Sequence, residues 1–169
     1  MFLGLLSSKK KDALICEVLH QNFGDLTFDL FYSILWSRRG AETLYLRFWR
    51  KLEGNLRNNT VEYEKYARAW VLQTAVELLM QHQPKLGRSP SPSERVMVDS
   101  NLNVPARLRS LESYLHRLPI QDQILLNLRN KYGLPYPEIA SILRLPEGTL
   151  RTKQQQALRS LEEWLWDQQ

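Results

Sequence analysis

A proline near the end of the chain divides a helical pattern into two pieces. Residues 136–143 place apolar side chains at helical spacing. Pro146 cannot continue that helix, because proline lacks a backbone N–H and disfavours helix in the residue before it. A longer helical pattern starts near Glu147 and runs to about Trp166. Two helices joined by so short a turn are typical of a helix-turn-helix, and the sequence predicts one here.

The rest of the chain is also helical in pattern. Apolar residues recur at three- and four-residue spacing both before residue 83 and after residue 107, and no β alternation is sustained. Residues 83–107 combine four prolines with a glycine and several serines, which is typical of a linker. We therefore predict an all-α fold with two small helical domains, residues 1–82 and 108–169, joined by a flexible linker at 83–107.

Particular residues predict where helices begin and end. Pro119 suits the first turn of a helix that Gly133 ends, and Pro137 suits the first turn of the next. In the first domain, the residues Arg38-Arg39-Gly40 interrupt the apolar pattern, and we expect the following helix to continue from Ala41.

Composition limits the class of protein and of partner. The 169 residues are 43% hydrophobic and 24% charged, as in globular proteins, and the net charge of +5 favours anionic partners. The single cysteine, Cys16, excludes a disulfide within the chain. No apolar stretch approaches the roughly 18 residues of a membrane span. We expect a cytoplasmic protein with no membrane partner.

Patterns typical of enzymes are missing from the sequence. His20, His82 and His116 are far apart, and no HExxH, glycine-rich phosphate loop or nucleophile motif occurs. We therefore expect no catalytic residue, no metal and no cofactor, and a protein that acts by binding.

The polar face of the last helix has the chemistry of a DNA-binding surface. Between Arg144 and Arg159 there are four basic residues and one acidic residue, and the face opposite the leucines carries amides. Glutamine and arginine can form paired hydrogen bonds to adenine and guanine. Such a face can also be an ordinary solvated surface, but the proline break before it favours DNA recognition. The predicted DNA-binding residues are Arg144, Thr149, Arg151, Thr152, Lys153, Gln155, Gln156 and Arg159.

The opposite face of that helix is expected to be core. At 100° per residue, one side collects Leu150, Ala157, Leu158, Leu161, Trp164 and Leu165. Arg151 and Lys153 lie on the two borders, from which long cationic side chains can reach phosphates.

The segment LPIQDQILLNLRNKYGLPYPEIASILRLPEGTLRTKQQQALRSLEEWL resembles the C-terminal, promoter-reading domain of bacterial RNA polymerase sigma factors. Response regulators share the helix-turn-helix, but the proline-rich turn and the long helix that begins at Gly-Thr-Leu are more similar to the sigma family. The resemblance implies that the last helix binds an upstream promoter element. It rests on Leu118-Pro119, Leu128, Gly133-Leu134, Tyr136, Glu138-Ile139-Ala140, Leu145-Pro146, Gly148-Thr149-Leu150, Ala157 and Leu161.

Two segments of the first domain, GAETLYLRFWRKL and RAWVLQTA, resemble the two-domain sigma factors called the extracytoplasmic-function group. The resemblance implies that the first domain binds core RNA polymerase and the downstream promoter element, with an anti-sigma factor as a possible further partner. The polymerase-docking residues that it implies are Glu42, Leu44, Phe48 and Trp49. The candidates for stacking on unpaired promoter bases are Tyr63, Tyr66 and Trp70, although aromatic residues at this spacing, like Phe48, also fit a helical core.

The chain departs from the family pattern at several positions. Thr43 replaces an aspartate, Glu77 stands where an asparagine is usual, and Gln81-His82-Gln83 replaces a basic run. Gln123 and Gln156 stand where arginine is usual, which implies a weaker attraction for phosphate.

The sequence thus predicts a sigma-like initiation factor that binds core RNA polymerase and promoter DNA. Two alternatives stay open at this point. A protein with a sigma fold can act as a decoy or anti-sigma partner without opening promoters, as the missing basic run would suit. An ordinary helix-turn-helix regulator would instead be a dimer on a palindromic site.

Overall fold

The structure, a computed structural model, describes residues 8–58, 63–82, 114–115 and 117–166. These residues form helices and no strand, which confirms the predicted all-α fold. The chain falls into two compact units, Met1–Leu79 and Met80–Gln169. The predicted linker at 83–107 lies outside the described residues, and the domain bounds given above stay a prediction.

Three long helices make up the described part of the first unit. They are α1 (Ser8–Leu35), α2 (Arg38–Asn58) and α3 (Tyr63–His82). The rings of Phe31 and Phe48 meet edge to face with centroids 5.7 Å apart, and both side chains are fully buried between α1 and α2. Helix α3 adds the buried residues Val71, Leu72, Ala75, Val76, Leu78 and Leu79.

A close approach of α1 and α2 occurs at Gly24. A Cβ atom at this position would lie 2.9 Å from the Tyr45 hydroxyl, so glycine leaves the room that the tyrosine occupies. That hydroxyl is 2.9 Å from Nε2 of His20. The buried Thr27 hydroxyl, one turn further along α1, donates to main-chain carbonyls of its own helix. The crossing therefore contains no unpaired hydroxyl at these two positions.

The break between α1 and α2 lies earlier than predicted. Trp36 has a left-handed backbone (φ 50°), and α2 begins at Arg38 rather than at Ala41. The reason is a helix cap, because the amide of Gly40 donates to Oγ of Ser37 at 3.1 Å. The two arginines and the glycine are therefore the first turn of α2, and the expectation that they interrupt it was wrong.

The second unit contains three described helices in its C-terminal part. Helix α4 (Ile120–Leu126) continues into a π turn at Asn127–Lys131, and α5 (Tyr136–Leu143) and α6 (Glu147–Trp166) follow. Their apolar core consists of Ile120, Ile124, Leu125, Leu126, Leu128, Leu134, Ile139, Ile142, Leu150 and Ala157.

The predicted helix boundaries of this unit are confirmed. Pro119 precedes α4, and Gly133 follows the π turn with a left-handed backbone (φ +66°) that suits glycine. Pro137 lies in the first turn of α5, which ends at Arg144 with a left-handed backbone (φ 53°). The amide of Leu145 then donates to the carbonyl of Ala140 at 3.2 Å, which closes the helix end.

The capping role of Ser37 predicts a measurable loss of stability. Ser37→Ala removes the acceptor for the Gly40 amide, and we expect the free energy of unfolding to fall by about 1 kcal/mol. Ser37→Asp, which keeps an acceptor at this position, is the matched control and should stay near the wild-type value. Urea unfolding followed by circular dichroism measures both. Equal stability of Ser37→Ala and wild type would contradict the cap.

Candidate nucleic-acid interface

Helix α6 has one buried side and one exposed side, as its sequence predicts. Leu150 is fully buried and Ala157 is nearly so, where α6 packs on α4 and α5. The expected core assignment was wrong for Leu158 and Leu165, which are 37% and 43% exposed. Both lie at the edge of the apolar side by the helical period. The exposed residues among those predicted to bind DNA are Arg144, Thr149, Arg151, Thr152, Gln155, Gln156 and Arg159.

Three exposed side chains of α6 keep their full capacity to bind other molecules. Within the described part of the chain, Gln155, Gln156 and Arg159 make no side-chain hydrogen bond or ion pair. Thr152 differs, because its hydroxyl donates to the Gly148 carbonyl at 3.0 Å and can then only accept. The three residues form a polar strip along the exposed side of the helix.

Lys153 is engaged inside the unit. Its Nζ lies 3.0 Å from Oδ1 of Asp122 on α4, and the two side chains are 30% and 15% exposed. The pair joins α6 to α4, so the lysine is oriented toward the protein rather than away from it. The DNA-binding role predicted for Lys153 therefore stays a prediction that this geometry does not favour.

Arg151 lies on the opposite border of the helix and contacts an aromatic ring. Its guanidinium carbon is 4.2 Å from the centre of the Tyr136 ring, and its Nη2 is 3.7 Å from Oε2 of Glu147. A second guanidinium, that of Arg129, lies 4.8 Å from the same ring centre. Arg129 also donates to the Leu134 carbonyl at 2.9 Å. Two cations thus lie beside one tyrosine at the start of α6.

Sequence reasoning missed Gln154, which fixes that tyrosine. The Tyr136 hydroxyl donates to Oε1 of Gln154, and Nε2 of Gln154 donates to Oδ1 of Asn130 at 3.0 Å. The position of Gln154 carried a signal, because it follows Leu150 by one helical turn and so lies on the buried side. An amide in that position needs hydrogen-bond partners within the protein.

The π turn at the end of α4 places one residue beside this tyrosine and another beside Gln154. The amide of Tyr132 donates to the carbonyl of Asn127 at 3.0 Å, five residues back. Such a turn holds one more residue than an α-helical turn and is frequent at functional sites. Here it carries Arg129 to the ring and Asn130 to Gln154. The sequence gives no simple signal for it.

On the first unit, the residues predicted to bind polymerase are divided between core and surface. Leu44 and Phe48 are buried (1% and 0% exposed), and Glu42 is exposed and paired with Arg38 at 3.1 Å. The large apolar residue on the exposed side of α2 is Leu46, which is 60% exposed and which sequence reasoning missed. Direct docking through Leu44 or Phe48 is not favoured by their burial.

Trp49 is half-buried in an aromatic cluster. Its ring lies 4.8 Å from His20, 5.9 Å from Tyr45 and 4.9 Å from Phe48. The indole N–H is buried without a partner of good hydrogen-bond geometry, although it is near enough to the Tyr45 hydroxyl to favour the phenolate slightly. Burial is the larger effect and raises the pKa of Tyr45. This tyrosine therefore stays protonated.

The candidates for stacking on promoter bases are only partly described. Trp70 is half-buried in α3, and the hydroxyl of Thr74 donates to its carbonyl at 2.9 Å. The side chains of Tyr63 and Tyr66 lie outside the described residues. The stacking role stays a prediction for all three.

Three departures from the family pattern have structural partners. The Thr43 hydroxyl donates to the carbonyl of Arg39 at 2.8 Å, Glu77 pairs with Lys51 at 3.5 Å between α3 and α2, and Gln123 donates to the carbonyl of Leu118 at 2.8 Å. These residues therefore stabilise helices and helix contacts at the positions where they occur.

Within the described part of the chain, no group of three histidine, cysteine, aspartate or glutamate side chains could hold a metal ion. None of the helices described combines the length and apolar character needed to cross a membrane. Cys16 is half-buried, and burial, followed by the charge of Glu53, raises the pKa of its thiol. Such a thiol is a poor nucleophile near neutral pH.

The ion pair between Lys153 and Asp122 predicts an energetic coupling within the second unit. Lys153→Met and Asp122→Asn, alone and combined, should show a coupling free energy of about 1 kcal/mol in urea unfolding, because the pair is largely shielded from water. As a control, Arg159→Met removes an exposed cation of the same helix and should show no coupling with Asp122→Asn. Additive effects of the Lys153 and Asp122 substitutions would contradict the pair.

Comparison with known proteins shows what this part of the chain is similar to. Residues 108–161 match the model for sigma-70, region 4. A solved structure of similar fold is the sigma factor RpoE from Bartonella quintana, in complex with the anti-sigma factor NepR. It is 20% identical, with a TM-score of 0.60, over 93% of this chain and 95% of that chain. No curated protein has a matching sequence.

The match of residues 108–161 supports the resemblance to sigma factors found in the sequence. The chain therefore contains a segment, residues 108–161, that is similar to sigma-70 region 4, and its fold is similar to that of the solved sigma factor structure.

Proposed function

We propose that this chain binds core RNA polymerase through its first unit and directs it to promoters by placing α6 in the major groove of an upstream element. The observation that supports this most is the polar strip of Gln155, Gln156 and Arg159, which is exposed on the helix that the region 4 match covers. The protein acts in the cytoplasm, where polymerase is, and catalyses no reaction of its own.

Within α6 the exposed residues divide by their chemistry. Gln155 and Gln156 can contact base edges, since an amide offers a donor and an acceptor together. Arg151 and Arg159 contact phosphates, which fix the register of the helix on the duplex. Arg144 and Thr149 flank the start of α6, where exposed side chains can reach the same backbone. Thr152 can accept a hydrogen bond from a base amino group.

On the first unit, the exposed side of α2 is the proposed contact with polymerase. Leu46 is the apolar centre of this side, and Glu42, Thr43, Arg47 and Arg50 are exposed around it. An apolar residue ringed by charges is typical of an interface that must also stay in solution when unoccupied. Leu44 and Phe48 support this surface from inside.

A regulatory protein with a sigma fold is the second candidate. The observation that favours it is the end of α3, where Gln81 is exposed at a position for which the family resemblance implies a basic run. The similar solved structure is of a sigma factor held by an anti-sigma factor. We propose an anti-sigma factor as a partner in either case.

Transcription separates the two candidates. The full chain is added to core polymerase with a genomic DNA library, and initiated transcripts are sequenced. An initiation factor yields transcripts that start at shared sequences and depend on this chain. Co-purification with polymerase or with an anti-sigma factor, but no such transcripts, would support the regulatory protein.

Substitutions on the exposed side of α6 should separate base contacts from phosphate contacts. Gln155→Ala or Gln156→Ala should lower the preference for promoter over scrambled duplex, with about 1–3 kcal/mol lost for each paired contact to a base. Arg159→Ala should weaken both duplexes alike, because phosphates carry no sequence. Binding titrations at two salt concentrations measure both effects. Unchanged affinity in all three variants would sink the DNA-binding role of this face.

A single exposed leucine tests the polymerase contact. Leu46→Asp should weaken co-purification with core polymerase, because it places a charge in the centre of the proposed interface. Leu14→Asp is the matched control, since Leu14 on α1 is also exposed (42%) and belongs to the same unit. Both variants should keep the wild-type melting temperature. Equal polymerase binding by the two variants would count against this surface.

A further inference from the structure

The ring of Tyr136 contacts two guanidinium groups near the start of α6, those of Arg151 and Arg129. We propose that Tyr136 is a positioning residue that holds Arg151, with Arg129 beside it, as a phosphate-binding pair at the start of α6. The proposal rests on the proposed function of α6 and deepens it, because it names the residue on which the orientation of one DNA contact depends.

The distances place both guanidinium groups in the range of cation–π attraction. Their central carbons lie 4.2 Å (Arg151) and 4.8 Å (Arg129) from the centre of the Tyr136 ring, within the roughly 6 Å at which an aromatic face attracts a cation. Because both distances end at one centre, the two carbons are at most about 9 Å apart. One tyrosine ring thus has two positively charged guanidinium groups beside it.

Within the described part of the chain, only part of this charge is balanced. Arg151 has an acidic neighbour in Glu147, at 3.7 Å, whereas the hydrogen bond of Arg129 goes to the neutral carbonyl of Leu134. Two cations with one carboxylate keep a net positive charge. A phosphate is the anion that the backbone of a duplex supplies on both sides of a groove, and guanidinium groups bind it with paired hydrogen bonds.

The ring itself is held through its hydroxyl by a chain of two hydrogen bonds. Its hydroxyl donates to Gln154 on α6, and Gln154 donates to Asn130 in the π turn. The orientation of the ring is therefore set before any ligand arrives. A guanidinium that rests on a fixed ring loses less freedom on binding than one on a free side chain, and the affinity gains accordingly.

The place of Arg151 on α6 gives this orientation a consequence for recognition. Gln155 follows Arg151 by four residues, so the two side chains are neighbours on one face. A phosphate contact at Arg151 fixes how far α6 enters the groove, and hence which base Gln155 meets. Tyr136 acts on the choice of base through Arg151, without touching DNA.

Nuclear magnetic resonance on the full-length protein tests the geometry without DNA. The side-chain protons of Arg151 should be shifted upfield by the ring current of Tyr136, whereas those of Arg159, which is exposed on the same helix, serve as the reference. Tyr136→Phe keeps the ring and should keep the shift, and Tyr136→Leu should abolish it. An unshifted Arg151 in the wild-type protein would overturn the proposal, and this measurement needs no variant to fold.

The salt dependence of DNA binding tests the role. The logarithm of the DNA-binding constant falls linearly with the logarithm of the salt concentration. Each phosphate contact adds about 0.9 to the magnitude of this slope. On a 30-base-pair duplex of mixed sequence, Arg151→Ala and Tyr136→Leu should each lower the slope by about 0.9, and their combination should lower it no further. Tyr136→Phe should leave the slope unchanged. So should the matched control Tyr114→Leu, since Tyr114 contacts Trp164 near the far end of α6.

The possible outcomes separate this proposal from the function on which it rests. Loss of slope in Arg151→Ala but not in Tyr136→Leu would overturn the positioning role and leave DNA binding intact. Additive losses in the combined variant would also overturn it. A wild-type chain that binds no duplex at low salt would overturn the proposed function, and the positioning role with it.

Discussion

The burial of Leu150 determines how the rest of the second unit is arranged. Its side chain is inaccessible to solvent and packs where α6 crosses α4 and α5. Once this residue and Ala157 face inward, the 100° step of the helix requires Gln155, Gln156 and Arg159 to face outward. The apolar contact thus selects which polar residues are available to a duplex, although it touches none of them.

Polar contacts then fix the rotation of that helix about its axis. Lys153 is tied to Asp122 on one border, and Gln154 is tied to Tyr136 on the other. Apolar packing alone is tolerant of small rotations, whereas a hydrogen bond loses strength within a few tenths of an ångström. A helix that reads base edges needs the stricter kind of restraint. The second unit contains it on both sides of its core.

Several helix boundaries could be predicted because a single residue determines each of them. Pro146 and Gly133 mark helix boundaries through their own backbone chemistry, and the structure places both as expected. Ser37 was missed because a capping serine looks like any other until its acceptor is seen beside the Gly40 amide. A residue whose role depends on its own backbone chemistry or on its neighbours in sequence can be predicted from the sequence. A residue whose role depends on a partner in space cannot.

The same distinction holds for the candidate site. The exposed amides could be predicted from the helical period. The pairing of Lys153 with Asp122 could not, because it joins residues 31 positions apart and produces no periodic pattern. Leu158 was predicted to be core because the helical period places it on the apolar side, but it is 37% exposed. The helical period indicates on which side of a helix a side chain lies, but not whether another element packs against that side.

The left-handed residue between α5 and α6 has a consequence for which sequences this corner can accept. Arg144 occupies a backbone region that costs an L-residue about 1 kcal/mol or more relative to glycine. Side chains branched at Cβ suit that region least, so valine, isoleucine and threonine would be selected against there. Glycine would relieve the strain but would remove a cation from the surface proposed to bind DNA. Arginine thus supplies a positive charge at this corner at the cost of backbone strain. Few other residue types suit the position.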